Sequence, residues 1–390
     1  FRDWSRPDWR TDGVLLCWIG SQCGDGFKLD MPVVHKRMLL VDPGSRMPCI
    51  SGAEQLIGAE SYSSVPEALK AAPQIDDLLI LGNPPEEELE AMIKALADDA
   101  IFCWLPDSEP PASVRMDIAQ VHYGKIGWRG APDKTLSTAM KTDRIRNHYT
   151  PGGKLLIMGG AGAMGRIHTL RALQDDDGPH TIVVTNLTWD RLELLQDSFG
   201  PIAKNKGKNL YTMATNEGDD WQKALREWTD GGFNDIIVCA PGKIPAQEAL
   251  PFLARDGRIA YFSGTSYGQI VDIPLGWVAW YGASVTASSG SNVSDQLKVL
   301  DKIRAGSLDP NLNVSAILGM AALKQGLLAV SGGRFAGKLV LYPQLSDLPM
   351  TSLENLGDIS PELAAYVAAN GWNRDAEKIL YQAYAIQETL

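Results

Sequence analysis

Histidine and cysteine are scarce in this chain, five of each among 390 residues. The cysteines, at positions 17, 23, 49, 103 and 239, are odd in number, scattered and without a Cys-x-x-Cys spacing. That pattern excludes a disulfide framework and a cysteine-lobed zinc site, and it is expected of reduced thiols in a cytoplasmic setting. No histidine is followed by glutamate. Basic residues are outnumbered, 36 Lys and Arg against 47 Asp and Glu, for a formal charge of -11 and a pI near 5.0. Such a surface has no excess of cations to neutralise phosphodiesters, so nucleic acid is excluded as an expected partner. The longest uncharged stretch, between Asp272 and Asp295, carries Pro274, several glycines and many serines, which excludes it as a membrane span. The chain opens Phe-Arg-Asp-Trp, with no basic-then-apolar leader, and is expected to have been processed or to lack an upstream segment.

What is present is a globular composition, 45% hydrophobic and free of biased tracts, enough for two or three units with real cores. The most informative stretch is Gly152-Gly-Lys-Leu-Leu-Ile-Met-Gly-Gly-Ala-Gly-Ala-Met-Gly165, where an apolar run meets the spacing Gly160-x-Gly162-x-x-Gly165. It predicts a buried strand over 154–158, a tight turn at Gly160, close backbone approach to a pyrophosphate at Gly162, and helix packing permitted by Gly165. Ala163 and Met164 open the helix, whose free N–H groups and positive dipole end favour phosphate. An ordinary glycine-rich turn is the competing reading.

The following pattern alternates strands and helices, which predicts a parallel, doubly wound sheet. A helix over 163–173 stops at Asp175-Asp-Asp-Gly-Pro179, and a strand over 181–185 ends at Asn186. In NAD-binding units an acid at this position bonds the ribose hydroxyls; an amide bonds a hydroxyl but does not repel a 2′-phosphate, so NAD and NADP both stay open. Arg191 either faces such a phosphate or is a solvated charge on the helix over 190–198. A strand over 234–240, a helix over 245–254 and a strand over 257–264 follow, and their C-terminal ends put Ala240, Pro241, Ser263 and Gly264 beside a cofactor.

Residues 150–385 resemble the medium-chain dehydrogenase/reductase superfamily, in its branch of sorbitol dehydrogenases and L-sorbose-1-phosphate reductases. The resemblance is carried by Gly-Gly-Ala-Gly-Ala-Met-Gly (159–165), Val-Thr-Asn-x5-Leu (184–192) and Phe-Asn-Asp-Ile-Ile-Val-Cys-Ala-Pro (233–241). It continues through Ser-Ser-Gly-Ser-Asn-Val-Ser-Asp (288–295, with Ser289 a cofactor contact), Gly-Lys-Leu-Val-Leu-Tyr-Pro (337–343) and Trp-Asn-Arg-Asp-Ala-Glu-Lys (372–378). It implies a nicotinamide cofactor and hydride transfer on a polyol, sugar or sugar derivative. None of the eleven tyrosines has a lysine four residues on, so the short-chain catalytic pair is absent.

The superfamily places a barrel domain before the cofactor domain, but residues 1–135 echo the second half instead. At an offset of 158, Ile75-Asp-Asp-Leu-Leu-Ile-Leu lies on Phe233-Asn-Asp-Ile-Ile-Val-Cys, Ile101 on Ile259 and Tyr123-Gly124 on Tyr281-Gly282. At an offset of 140, Asp12 to Gly20 lies on Gly152 to Gly160, putting Gln22 at the place of Gly162 and Asp25 at that of Gly165. A side chain and a carboxylate there oppose pyrophosphate binding. Asp42 keeps the ribose-type position, with a loop cap as its other reading. The predicted fold is thus α/β, with two tandem Rossmann-like units, the first degenerate: residues 1–135, a cofactor domain over 136–310, and a segment over 311–390 that would complete a catalytic barrel and end in a helical tail.

Metal-dependent relatives take zinc from their barrel domain. The nearest imitation here, Cys23-Gly24-Asp25 with His35, sits in the altered turn and is not expected to bind metal; His122 is either a substrate contact or a packed residue. No catalytic residue is assigned in this chain. The expectation is an NAD(P)-dependent oxidoreductase subunit whose catalytic barrel, with any zinc, lies on another polypeptide or an upstream segment; a non-catalytic nucleotide-binding scaffold and a zinc-independent reductase are the alternatives.

Overall fold

A computed structural model describes residues 6–21, 26–141, 148–216, 221–287 and 290–387. By contact density the chain forms two compact units, one of Phe1–Met158, Asp177–Thr181 and Asp220–Ser291, the other of Gly159–Asp176, Ile182–Asp219 and Asn292–Leu390.

The first six-stranded sheet is built from β1 (Val14–Ile19), β2 (Arg37–Val41), β3 (Glu60–Tyr62), β4 (Ile75–Leu81), β5 (Leu96–Leu105) and β7 (Gly127–Gly130), in the order β3-β2-β1-β4-β5-β7. Its pairs are parallel throughout. The second comprises β8 (Lys154–Met158), β9 (Thr181–Asn186), β10 (Asn209–Ala214), β11 (Phe233–Val238), β12 (Leu253–Tyr261) and β14 (Ser284–Thr286), in the order β10-β9-β8-β11-β12-β14. Both orders run 3-2-1-4-5-6 from the first strand of each sheet, the doubly wound arrangement in which direction of progress reverses between the first and fourth strands. The expected pair of Rossmann-like sheets is therefore present, and the helices that connect them are α1 (Val65–Ala71), α2 (Glu86–Lys94), α3 (Ile118–Tyr123), α4 (Leu136–Ala139), α5 (Ala163–Gln174), α6 (Trp189–Asn205), α7 (Trp221–Trp228), α8 (Lys243–Ala249) and α9 (Leu275–Tyr281).

The central strands are apolar because they are covered on both faces. Leu78, Leu79, Ile80 and Leu81 of β4, and Ile236, Ile237 and Val238 of β11, are all buried. Each of these strands also carries one buried carboxylate at the same place. Asp77 accepts from Arg6, His35, Arg10 N and Ile101 N, at 2.5–2.9 Å. Asp235 accepts from Thr150 N and Arg258, both at 2.7 Å. In both sheets the pairing register shifts immediately before this residue, between Ile75 and Asp77 and between Phe233 and Asp235. That irregularity corrects the expected helix over 245–254: α8 ends at Ala249, and β12 starts at Leu253, ahead of the bulge, rather than at Gly257.

Within the first unit the two folds are joined through equivalent strands. β6 (Val114–Asp117) follows β5, β13 (Ile270–Ile273) follows β12, and they pair antiparallel, with Asp117 opposite Ile270 and Val114 opposite Ile273. The helices that follow them complete the join at short range: a Cβ on Gly130 of β7 would stand 2.6 Å from the Ala279 backbone of α9, and one on Gly276 of α9 would stand 1.8 Å from the Pro111 carbonyl.

The described part of the first fold's strand connections is packed into its core. No helix lies in the described part of the β1–β2 connection, residues 26–36; Phe27, Leu29 and Val33 of this segment pack into the core instead. Asp42, at the end of β2, accepts from Arg46 N and Met47 N at 2.8 and 2.9 Å, so it caps a loop. That loop closes onto the exit of β1, where a Cβ on Gly44 would stand 2.6 Å from Ser21 Cα. Gln22, Cys23, Gly24 and Asp25 lie outside the described residues.

The second unit continues with α10 (Val293–Arg304), α11 (Leu323–Ser331), α12 (Pro361–Asn370) and α13 (Arg374–Gln387) around a sheet of β15 (Val314–Gly319), β16 (Lys338–Tyr342) and β17 (Thr351–Ser352) in the order β16-β15-β17. Two of the family-like motifs meet here: Tyr342 lies 6.2 Å from Trp372, ring to ring, and donates to Glu377 at 2.6 Å. Asn373 caps α13 by accepting from Asp375 N and Ala376 N. Among the described residues no helix is long and apolar enough to cross a membrane.

Asp235 forms an ion pair at 2.7 Å with buried Arg258, whose side chain is 3% exposed. Asp235→Ala is expected to lower stability by about 3–5 kcal/mol in urea unfolding; a change below ~1 kcal/mol would show that the carboxylate does not hold the sheet.

Candidate functional site

The expected cofactor contacts divide between the two units. In the second unit, the turn after β8 runs Gly159-Gly160-Ala161-Gly162. Its left-handed residue is Gly159, with φ 72°, one position before the expected Gly160. Gly160 N donates to Thr185 O at 2.9 Å, which ties the turn to the end of β9. Gly162 is the N-cap of the twelve-residue α5, and Arg166 N closes its first turn on Gly162 O at 2.9 Å. Among the described residues no N-cap side-chain bond closes this helix, and its first turn carries no acidic residue, so its leading N–H groups and positive dipole end are left without an acid of the helix's own.

The last two glycines of the triplet do different work. A Cβ on Gly165 would stand 2.2 Å from Gly160 Cα, so only glycine lets the helix sit against the turn. A Cβ on Gly162 would meet nothing nearer than Gly159 O at 3.8 Å, and its φ of -78° suits any residue. The fold itself does not need a glycine at 162. The space in front of Gly162 is left open by the surrounding residues.

Asn186 ends β9, half-buried, with its carbonyl taken by Thr215 N at 2.8 Å. Arg191, in the first turn of α6, donates to the Gly333 carbonyl beyond α11. A guanidinium has five N–H donors, so this bond orients the group without exhausting it. Ala163 is half-buried and Met164 exposed, on the first turn of α5. The spacing did not single out Arg166, which is buried, stacks 4.5 Å over the Phe199 ring and bonds Asn313 at 3.3 Å. Nor did it identify Asn292 and Asp295, whose reciprocal bonds at 3.0 and 3.1 Å form a capping box on α10. Asn-x-x-Asp before an amphipathic run is the signal that would have found it. Ser289 lies outside the described residues.

In the first unit, the chain leaves β11 and β12 at adjacent points. Cys239 N and Ala240 N both donate to Met158 O, at 2.8 and 3.1 Å, while Phe262 N and Ser263 N donate to Val238 O at 3.0 and 3.1 Å. Ser263 Oγ donates to Ala240 O at 2.8 Å, so two of the expected residues meet directly. Pro241 and Gly264 follow, exposed. Burial pushes the Cys239 thiol up to about 12, so it is a neutral thiol at physiological pH, neither nucleophile nor thiolate ligand. His122 is buried, with Nδ1 3.0 Å from Tyr261 O, a packed residue rather than an open contact. Among the described residues no three His, Cys, Asp or Glu side chains are gathered as a metal set.

No protein-family model matches the chain. Mannitol-1-phosphate 5-dehydrogenase of Aliivibrio fischeri is 28% identical over 253 residues, 60% of this chain and 58% of that protein. L-sorbose 1-phosphate reductase of Klebsiella pneumoniae is 28% identical over 237 residues, 59% of this chain and 55% of that protein, and uncharacterized YggP of Escherichia coli is 27% identical over 269 residues, 66% and 63%. The matched segment thus spans less than two thirds of each relative. Among solved structures, similarity extends to 2R,3R-butanediol dehydrogenase from Bacillus subtilis, 16% identical with a TM-score of 0.41 over 50% of this chain and 52% of that one. It extends also to an alcohol dehydrogenase from Aeropyrum pernix, 20% identical with a TM-score of 0.38 over 51% and 52%.

Gly165→Ala is expected to lower stability by about 1–3 kcal/mol, because backbone must move to admit the methyl group, whereas Gly162→Ala is expected to stay within about 1 kcal/mol. Urea unfolding of the two variants measures this; equal losses would contradict the division of roles. Iodoacetamide at pH 8 is expected to modify exposed Cys49 while Cys239 and Cys103, both pushed up to about 12 by burial, resist. Peptide mass mapping reads the outcome, and early labelling of Cys239 would contradict it.

Proposed function

We propose that the second fold binds NAD(P) and that the chain is an oxidoreductase component acting on a polyol, sugar or sugar phosphate. The observation that carries the reading is the contrast at the glycine turn: Gly165 is required by packing, Gly162 is left open by it, and the space before Gly162 faces an uncapped helix start. The residues present fit a dinucleotide diphosphate on this ground. In a doubly wound sheet one mononucleotide lies on the first three strands, and on this reading the adenosine half takes the turn and Asn186. Bound NAD(P) would supply the hydride acceptor or donor; this chain's part is to hold the phosphates at the start of α5.

The sugar or polyol class is supported by two relatives, named as a mannitol-1-phosphate dehydrogenase and a sorbose-1-phosphate reductase. We also propose that a catalytic domain from outside these residues completes the enzyme. The support is that the first half folds as a second parallel sheet where the resemblance expects a barrel. Calorimetric titration is expected to show binding of NADH or NADPH, with Gly162→Ala weakening it by about tenfold or more while leaving stability nearly unchanged. Binding of neither cofactor, or equal affinity in the variant, would contradict the reading.

A further inference from the structure

Two glycines, Gly332 and Gly333, follow α11, and the second meets a side chain from another helix. Gly333 has φ 65°, a left-handed conformation that side chains disfavour, and a Cβ there would stand 2.6 Å from Arg191 Nη2. A methyl group at this position would push the guanidinium away. As it is, Arg191 donates through Nη2 to the Gly333 carbonyl, so one edge of a long, flexible side chain is held by backbone. The other edge is uncommitted: among the described residues Arg191 makes no further hydrogen bond and no salt bridge, and it is half-buried rather than enclosed. Its neighbour Asp190 accepts from the Thr188 hydroxyl and from Arg191 N, which turns that carboxylate to the start of α6.

Asn186 shows the same division between fixed backbone and open side chain. Thr185, just before it, accepts from Gly160 N at 2.9 Å, and Asn186 O accepts from Thr215 N at 2.8 Å, so the end of β9 is tied to the glycine turn on one side and to the exit of β10 on the other. Among the described residues the Asn186 side-chain amide makes no hydrogen bond. Only Leu187 and the N-cap Thr188 separate it from α6, which puts Arg191 within one helical turn of the strand end. The glycine turn, Asn186, Arg191 and Gly333 all belong to one compact unit. In a dinucleotide fold the side chain that ends the second strand meets the ribose of the adenosine half. A carboxylate there binds the ribose hydroxyls and repels a phosphate; an amide donates equally well to a hydroxyl or a phosphate oxygen.

We infer that this ribose site takes a 2′-phosphate, so that NADP(H) rather than NAD(H) is the cofactor of the second fold, with Arg191 the residue that selects it and Gly333 the group that positions Arg191. The inference rests on the NAD(P) reading above. Its physical ground is charge: a guanidinium presents a planar fork of donors that matches a phosphate, whereas an unmodified ribose offers it only neutral hydroxyls. Anchoring one edge on Gly333 reduces the side-chain freedom lost when the other edge binds.

The test is calorimetric titration of the parent, Arg191→Met, Gly333→Ala and Asn186→Asp with NADPH and NADH, beside 2′-phospho-ADP-ribose and ADP-ribose as probes of the adenosine half alone. The parent is expected to bind NADPH about tenfold or more tightly than NADH, and the 2′-phosphate probe more tightly than its parent nucleotide by a similar factor. Arg191→Met is expected to remove most of that ratio by weakening the 2′-phosphorylated ligands alone, Gly333→Ala to shift the ratio the same way, and Asn186→Asp to favour NADH. The ratio is measured within one protein, so a variant that is partly unfolded still reports it. Equal affinity of the parent for the two cofactors, tighter binding of NADH, or an Arg191→Met variant that keeps the parent's ratio would overturn this inference while leaving the cofactor reading in place. A Gly333→Ala variant with the parent's ratio would overturn the positioning role. No binding of any of these ligands by the parent would overturn both the inference and the reading beneath it.

Discussion

A helix can begin immediately after a strand only if the two backbones come closer than a side chain allows. In the second unit that clearance is set at one contact, Gly165 against Gly160, where a Cβ would fall 2.2 Å from the facing Cα. The rest of the site depends on it. Gly165 lets α5 settle onto the turn, and the turn in turn is tied to β9 through Gly160 and Thr185. An anion site made of backbone costs little to preorganise, since its donors are already ordered by folding.

The first fold has Gln22 and Asp25 where the second has Gly162 and Gly165. Its sheet has the same strand order and the same buried aspartate on its fourth strand, so its core does not depend on a glycine turn. The connection after β1 contributes Phe27, Leu29 and Val33 to the core, and the loop capped by Asp42 closes on the strand exit. The two folds thus diverge at the ends of their strands while agreeing in their middles. They remain joined by β6 and β13, and each projects a tyrosine onto the other.

The strands were legible because burial on both faces writes them as apolar runs, and Gly165 was legible because helix packing requires it at that spacing. Boundaries near the bulge were not: Leu253 and Ala254 read as the end of a helix, but an irregular register takes them into β12. Contacts between distant segments were beyond reach for a plainer reason. Nothing local to Arg191 announces Gly333, and nothing local to Tyr123 announces Gly264 or Tyr267, because each pair meets only after the sheets have formed. His122 carried no signal to separate contact from packing, and its bond to Tyr261 O assigns it to packing.

The central claim is that one of two similar folds holds a dinucleotide and that its backbone does the holding. Amide hydrogen exchange with and without saturating NADH or NADPH addresses this most directly, since the proposed donors are the exchanging groups themselves. The account predicts slowed exchange in residues 159–166, with residues 42–47 of the first fold unchanged. Slowed exchange confined to the first fold, or none in residues 159–166, would contradict it.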